Sequence, residues 1–307
     1  MNNFCLLTND VETMSIVNNR LDDNIANLVW KEGLPRLLDL YNNFGVQSTF
    51  FFTGHIAKLN PKLVKIVHNN GHEVGSHGLS HEPNKSFDIL PLQDQINHLK
   101  ISKDILENVT GDSIISFRAP ALRVNNNTAI ALQETGFKID SSISSQRFDF
   151  FLTFGNVNKM KWLTAPRKPY FTKSNNLFQK GNGSIFEIPI SAFFVAYIGT
   201  TMRIFPTLIK LLRFILHLES NCTKKPIVFL IHPHEFINEI VINRKINKRA
   251  TNYLSYILGD IVRRKLKIKN LGDKTIPIYE SQLKFLKKRN YAFCTLKDYC
   301  IKTGLLK

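Results

Sequence analysis

The segment GHEVGSHGLSH, residues 71–81, decides how this chain is read. Its first half, His72 to Gly75, has the makings of a short strand that follows the stop signal Asn69-Asn70-Gly71. Its second half is a polar turn carrying His77 and His81. If that turn is one turn of helix, the H-x3-H spacing stacks the two imidazoles on one side, as a shared metal requires. The same spacing also fits two surface histidines in a loop, so the surroundings must choose.

Upstream, Phe4 to Leu7 reads as a first strand. Asp22 or Asp23 caps a helix whose apolar positions Leu28, Val29, Leu34, Leu37, Leu38 and Tyr41 recur at helical spacing up to Gly45. Val46 to Phe52 is a second strand, and a helix opened by Pro61 leads into the quoted segment. Downstream come a helix over Leu92 to Asn108, a strand over Ile114 to Phe117, a helix over Asn125 to Thr135 and a strand over Phe137 to Ile139. An irregular polar excursion is expected from Thr153 to Gly183, then a strand at Ile185 to Ile188, a helix at Thr207 to Leu218 and a buried strand at Ile227 to Ile231. Alternation of this kind builds repeated β-α units around a mainly parallel sheet or barrel. Helix, strand and helix over Glu280 to Ile301 close it. A single domain over 1–307 is expected, with a basic helical insertion at about 238–275, where Arg244 to Lys269 surround an apolar stripe of Leu254, Ile257, Leu258, Ile261 and Val262.

Composition narrows the class. With 307 residues and 43% hydrophobic content the chain can bury a full core. The most apolar stretch, Ile188 to Leu218, is interrupted by Pro189, Gly199, Arg203, Pro206, Lys210, Arg213 and His217, so a membrane span is not expected. Met1 to Leu7 lacks a basic start and a long apolar run, which points to the cytoplasm. Cys5, Cys222, Cys294 and Cys300 show no CxxC pair and read as buried hydrophobes. Lys and Arg number 41 against 24 acids, a formal charge of +17, which suits an anionic membrane surface or a phosphorylated substrate as well as a solvated surface. Nucleic acid is not the expected partner, because the 23 Phe residues fall in core-like runs such as TFFFTG.

The chemistry gathers at strand ends. Asp10 and Glu12, two residues apart, share one face of the first strand, where paired carboxylates either cap a turn or hold a cation. Two histidines and a carboxylate with an open position make a hydrolytic zinc site. Arg118 in FRAP offers a guanidinium fork to a carboxylate, and Asp140 in KIDSS ends another strand. His232 in FLIHPHE follows the buried strand and can protonate a leaving amine. Each of these alone has an ordinary structural explanation. Five strands delivering ionisable groups at the same, carboxyl-terminal, end is the arrangement of an active site in a parallel barrel.

Taken in order, TNDVE, TFFFTG, GHEVGSHGLSH, FRAP, DSS and LIHPHE resemble the NodB-type polysaccharide deacetylases, the fourth carbohydrate esterase family. The resemblance implies an α/β fold, a distorted (β/α) barrel of about seven parallel strands, and a divalent metal, Zn²⁺ before Co²⁺, Mn²⁺ or Ni²⁺. The usual opening, TFDD, is replaced by Asp10-Val11-Glu12, which looks like the D-x-[DE] branch. Carried over, Asp10 is the general base and Glu12, His77 and His81 are the metal ligands, although the roles of Asp10 and Glu12 could be exchanged. His232 is the acid. Arg118, anchored by Asp140, orients Asp10. Ala119, Pro120 and Arg123 face substrate, and a backbone amide following Ala121 helps hold the oxyanion. The implied reaction removes an acetyl group from an amino sugar or glycan intermediate; the basic helix Arg244 to Lys269 adds peripheral contact with the inner face of an anionic membrane as an expectation. The alternatives are a deformylase or amidohydrolase of the same fold, acting on a lipid-linked sugar formamide or small linear amide, and a non-catalytic glycan binder.

Overall fold

The computed structural model describes residues 3–18, 20–147, 157–239 and 261–306. The strands of its main sheet, in chain order, are β1 (Phe4–Val11), β2 (Thr49–Phe52), β3 (Glu73–Ser76), β4 (Ser116–Phe117), β5 (Ile139–Asp140), β6 (Tyr170–Lys173), β7 (Asn176–Lys180), β8 (Phe186–Glu187), β9 (Ile227–Ile231) and β10 (Ala292–Phe293). β1 is buried from Cys5 to Val11, without polar alternation, as a strand covered on both faces must be. It lies between β9 and β2, parallel to both. The order β9-β1-β2-β3-β4-β5-β8 is a run of seven parallel strands, extended past β8 by the antiparallel hairpin β6–β7.

The ladder does not close from β8 to β9 among the described residues. Ser191, just beyond β8, crosses that gap: its N–H donates to the Val228 carbonyl at 3.0 Å, and its hydroxyl accepts from the Val228 N–H at 2.9 Å. The architecture is therefore the expected distorted barrel, with one seam joined by Ser191 and by a parallel bridge between Ile198 and Leu230 in place of a strand ladder.

Strand alternation separates two apolar layers. Leu6, Phe51, Ile139, Phe186 and Val228 fill the interior, which Cys294, Leu296 and Cys300 plug below, beside the start of β1. Leu7, Phe50, Phe52 and Phe229 face outward onto the helices. Asp10 is on the same side of β1 as Leu6 and Thr8, so the interior column ends in a carboxylate at the carboxyl-terminal mouth.

Three expectations change. The helix read from Asp22 to Gly45 is two helices, Asn24–Leu28 and Leu34–Phe44, joined by a π-helical turn over Val29–Gly33. That wide turn lies where Gly33 presses on the chain after β9: a Cβ there would stand 2.3 Å from the Pro233 carbonyl oxygen. The polar excursion contains the β6–β7 hairpin, whose alternation of buried Tyr170 and Thr172 with exposed Phe171 and Lys173 is masked in sequence by Lys and Asn. Cys5, Cys294 and Cys300 are buried but Cys222 is exposed. Most of the basic helix read over Arg244 to Lys269 lies outside the described residues, which show its end as a short helix, Arg263–Lys267. Among the described residues no helix is long and apolar enough to cross a membrane.

Candidate active site

Every strand that was expected to deliver an ionisable group does so at its carboxyl end. Asp10 and Glu12 close β1, His77 follows β3, Arg118 follows β4, Asp140 ends β5 and His232 follows β9. Parallel pairing makes these ends neighbours.

His77 and His81 do converge, but not on a helix. The chain after Ser76 is an irregular loop, and the rings approach with centroids 5.8 Å apart. Glu12 Oε2 stands 3.0 Å from His81 Nε2 and 3.7 Å from His77 Nε2, while Asp10 Oδ2 is 3.8 Å from His77 Nε2. The Arg118 carbonyl lies 2.8 Å from His77 Nδ1; a carbonyl only accepts, so Nδ1 carries the proton and Nε2 keeps a lone pair for the site. Burial alone would raise the Glu12 pKa, but the charge of His81 and the close approach of both imidazoles hold it well below the usual carboxylate range. Burial likewise opposes a charge on His81, and Glu12 outweighs it, raising the imidazole pKa.

These residues fit a divalent ion. Glu12 Oε2 is buried without a hydrogen-bond partner, and one ligand atom from each of Glu12, His77 and His81 lies within 4.8 Å of the others. Two nitrogens and an oxygen are the donor set of catalytic zinc.

Arg118 is fully buried and stacks over the Phe51 ring, its guanidinium carbon 4.5 Å from the centroid. Nη1 donates to Asp10 Oδ1 at 3.0 Å and to Thr8 Oγ1 at 2.8 Å; Nε and Nη2 donate to the carbonyl and hydroxyl of Ser141 at 2.8 and 2.7 Å. The expected anchor, Asp140, is thus replaced by Ser141. Strand alternation explains the exchange: if Ser141 faces Arg118, Asp140 must face away. Asp140 instead accepts from the Ser142 hydroxyl and pairs with its register neighbour Glu187. Burial, then the charge of Asp140, push Glu187 well above its ordinary range.

His232 donates from Nδ1 to Glu235 Oε1 at 2.9 Å, and Glu235 is in turn paired with the buried Arg203. Burial works against a charge on His232, but the Glu235 hydrogen bond and charge prevail and raise its pKa to about 8. Arg203 helps hold Glu235 down at about 2 despite its burial. His234 is the opposite case: burial, then the charge of His232, push it down to about 3. Glu235, Arg203 and Ser141 were not among the expected site residues. Glu235 was signalled only by its place three residues after His232, and Arg203 by nothing in the sequence.

Ala119 and Pro120 are buried. They lead into Ala121, whose φ of 53° is unusual for a residue with a Cβ and turns its N–H toward His81 Nε2, 3.2 Å away. Arg123 pairs through Nε with the buried Asp88 at 2.8 Å, so that edge of its guanidinium is engaged within the protein.

An α/β barrel with carboxylates, imidazoles and a buried guanidinium at its carboxyl mouth is a fold found among proteins assigned to the polysaccharide deacetylases. Two crystal structures assigned to the polysaccharide deacetylases share this fold. The one from Pseudomonas aeruginosa PAO1 superposes with a TM-score of 0.60 at 15% identity, covering 98% of this chain and 93% of that one. The one from Mycobacterium smegmatis gives 0.55 at 18% identity, covering 96% and 94%. Residues 21–139 match the polysaccharide deacetylase family model. A peptidoglycan deacetylase of Helicobacter pylori is 33% identical over 116 residues, 38% of this chain and 39% of that protein. In that protein, a peptidoglycan deacetylase-like protein of Gibberella zeae and a peptidoglycan-N-acetylglucosamine deacetylase of Bacillus cereus, the match spans 33–47% of the relative's length.

Proposed function

We propose that this chain is a hydrolase that removes an acetyl group from an amino sugar in a glycan or glycan precursor. One observation carries the reading: Glu12, His77 and His81 meet at a point flanked by Asp10, held by Arg118, and by His232, held by Glu235. The similarity to a peptidoglycan deacetylase supports a sugar amide as the bond cleaved.

Glu12, His77 and His81 would hold the ion, Zn²⁺ foremost, which when bound supplies Lewis acidity toward the acyl oxygen and a more acidic water. Asp10, fixed through Oδ1 by Arg118, takes the proton of the attacking water as its oxygen bonds to the acyl carbon. The Ala121 N–H, aimed into the site, is a donor for the acyl oxygen as negative charge develops there, a contribution of about 3 kcal/mol where such donors have been removed. As the carbon–nitrogen bond breaks, His232 gives its proton to the departing amine. With a pKa of about 8 it carries that proton at neutral pH.

Metal analysis with acetate release from N-acetylated glycan fragments and sugar precursors tests the scheme. His77→Ala should lose metal and activity together, and His232→Ala should keep metal and lose turnover. Full turnover in both variants would end the assignment. Formate release in place of acetate would select the deformylase alternative.

Contact with an anionic membrane surface, on the cytoplasmic side, belongs to the same proposal. Its support is the helix Pro206–Thr223, which buries Ile209, Leu212 and Leu216 and leaves Leu208, Leu211, Phe214 and Leu218 exposed on the other side. An apolar row on a chain of formal charge +17 suits a surface of acidic lipid. Flotation with acidic liposomes should be strong and fall in Leu211→Asp; equal flotation with neutral lipid would remove the charge argument.

A further inference from the structure

The Glu12 carboxylate faces a second pair of imidazoles. His232 and His234 lie on either side of Pro233 at the 3₁₀ turn Pro233–Phe236, and their rings stack with centroids 4.7 Å apart and planes 12° from parallel. One ligand atom from each of Glu12, His232 and His234 lies within 4.8 Å of the others.

Two features point to a ligand there. His234 is 6% exposed, and its Nδ1 is buried with no hydrogen-bond partner. A buried polar atom left without a partner is costly, and native structures seldom keep one without a role. His232 already has the outer support of a metal-binding histidine, since Nδ1 is fixed by Glu235 and Nε2 is left with its lone pair when neutral. The donor set, two nitrogens and one oxygen, equals that of the first trio.

We propose that Glu12, His232 and His234 form a second divalent-cation position, sharing the Glu12 carboxylate with the first, and that filling it inhibits the enzyme. A bridging carboxylate between two ions is a familiar arrangement, and repulsion between the two dications makes the second bind more weakly than the first. Inhibition follows from one lone pair: an ion on His232 Nε2 occupies the position from which the proton goes to the leaving amine. The inference rests on the proposed roles of Glu12 and His232.

The test is a Zn²⁺ titration of the metal-stripped full-length protein, read by equilibrium dialysis with elemental analysis and by Co²⁺ absorption spectra. Two equivalents are expected, one tight and one weaker, with turnover falling about a hundred-fold as the weaker one fills, the scale of losing a general acid. His234→Gln should abolish the weaker equivalent and the inhibition while the tight one persists; His234→Asn serves if that variant does not fold. His77→Ala should remove the tight equivalent. One equivalent in the parent protein, lost in His77→Ala but kept in His234→Gln, would overturn the second position and leave the first intact. A protein that binds no Zn²⁺ would sink the underlying reading along with it.

Discussion

Replacing Glu235 by Gln isolates what the buried charge behind His232 does. Glu235 is fully buried, accepts from the His232 ring and main chain at 2.9 and 3.2 Å, and neutralises Arg203. Gln keeps the shape and an acceptor for Nδ1–H but not the charge. The carboxylate is what lifts His232 to about 8, so without it burial should return the imidazole to its ordinary value of 6.5 or lower. Protonation favours activity here, because the acid must carry its proton; activity is present below the pKa and lost as pH rises through it. At pH 7.5 the protonated fraction would drop from about three quarters to about one tenth, roughly an eight-fold loss of kcat/KM that recovers near pH 6. Stability should fall as well, by about 3 kcal/mol, because Arg203 is left buried without its partner. The assay is a pH profile of kcat/KM for both proteins, with denaturant midpoints run in parallel at a temperature where both remain folded. An unchanged alkaline limb with the rate lowered equally at every pH would refute the argument.

Other perturbations follow from the same geometry. Arg118→Lys cannot reproduce the fork that joins Asp10, Thr8 and Ser141, so kcat should fall at least about ten-fold while bound metal, measured by elemental analysis, is retained. Gly33→Ala places a methyl 2.3 Å from the Pro233 carbonyl, and a loss of about 1–3 kcal/mol in chemical unfolding is expected, with weakened activity because the displaced turn carries His232. Glu187→Gln should alter the pH dependence of stability. A carboxyl whose pKa is raised on folding favours the native state at low pH, and that stability is lost as pH rises from the unfolded pKa through the folded one. The variant lacks this loss, so relative to the parent its unfolding midpoint should improve as pH rises above the ordinary glutamate range; parallel trends would contradict the raised Glu187 pKa.

The sequence by itself determined the parallel α/β frame and the end of it that carries chemistry. Continuous apolar runs at Phe4–Leu7 and Ile227–Ile231 could only be buried strands, and period-two geometry put Asp10 and Glu12 on one face. Those signals are local, set by steric preference and burial over a few residues. The partners of the reactive groups were beyond such reasoning. Whether Arg118 is anchored by Asp140 or Ser141 depends on which face of β5 meets β4, and the pairing of Arg203 with Glu235 joins residues from different elements. The path of the chain between His77 and His81 was likewise left open by the spacing: a glycine-containing loop brings the rings together where one turn of helix would have served equally well. Tertiary packing decided these points because hydrogen bonds and charge pairs inside a barrel depend on distances between chain segments far apart in sequence, and local conformation does not specify those distances.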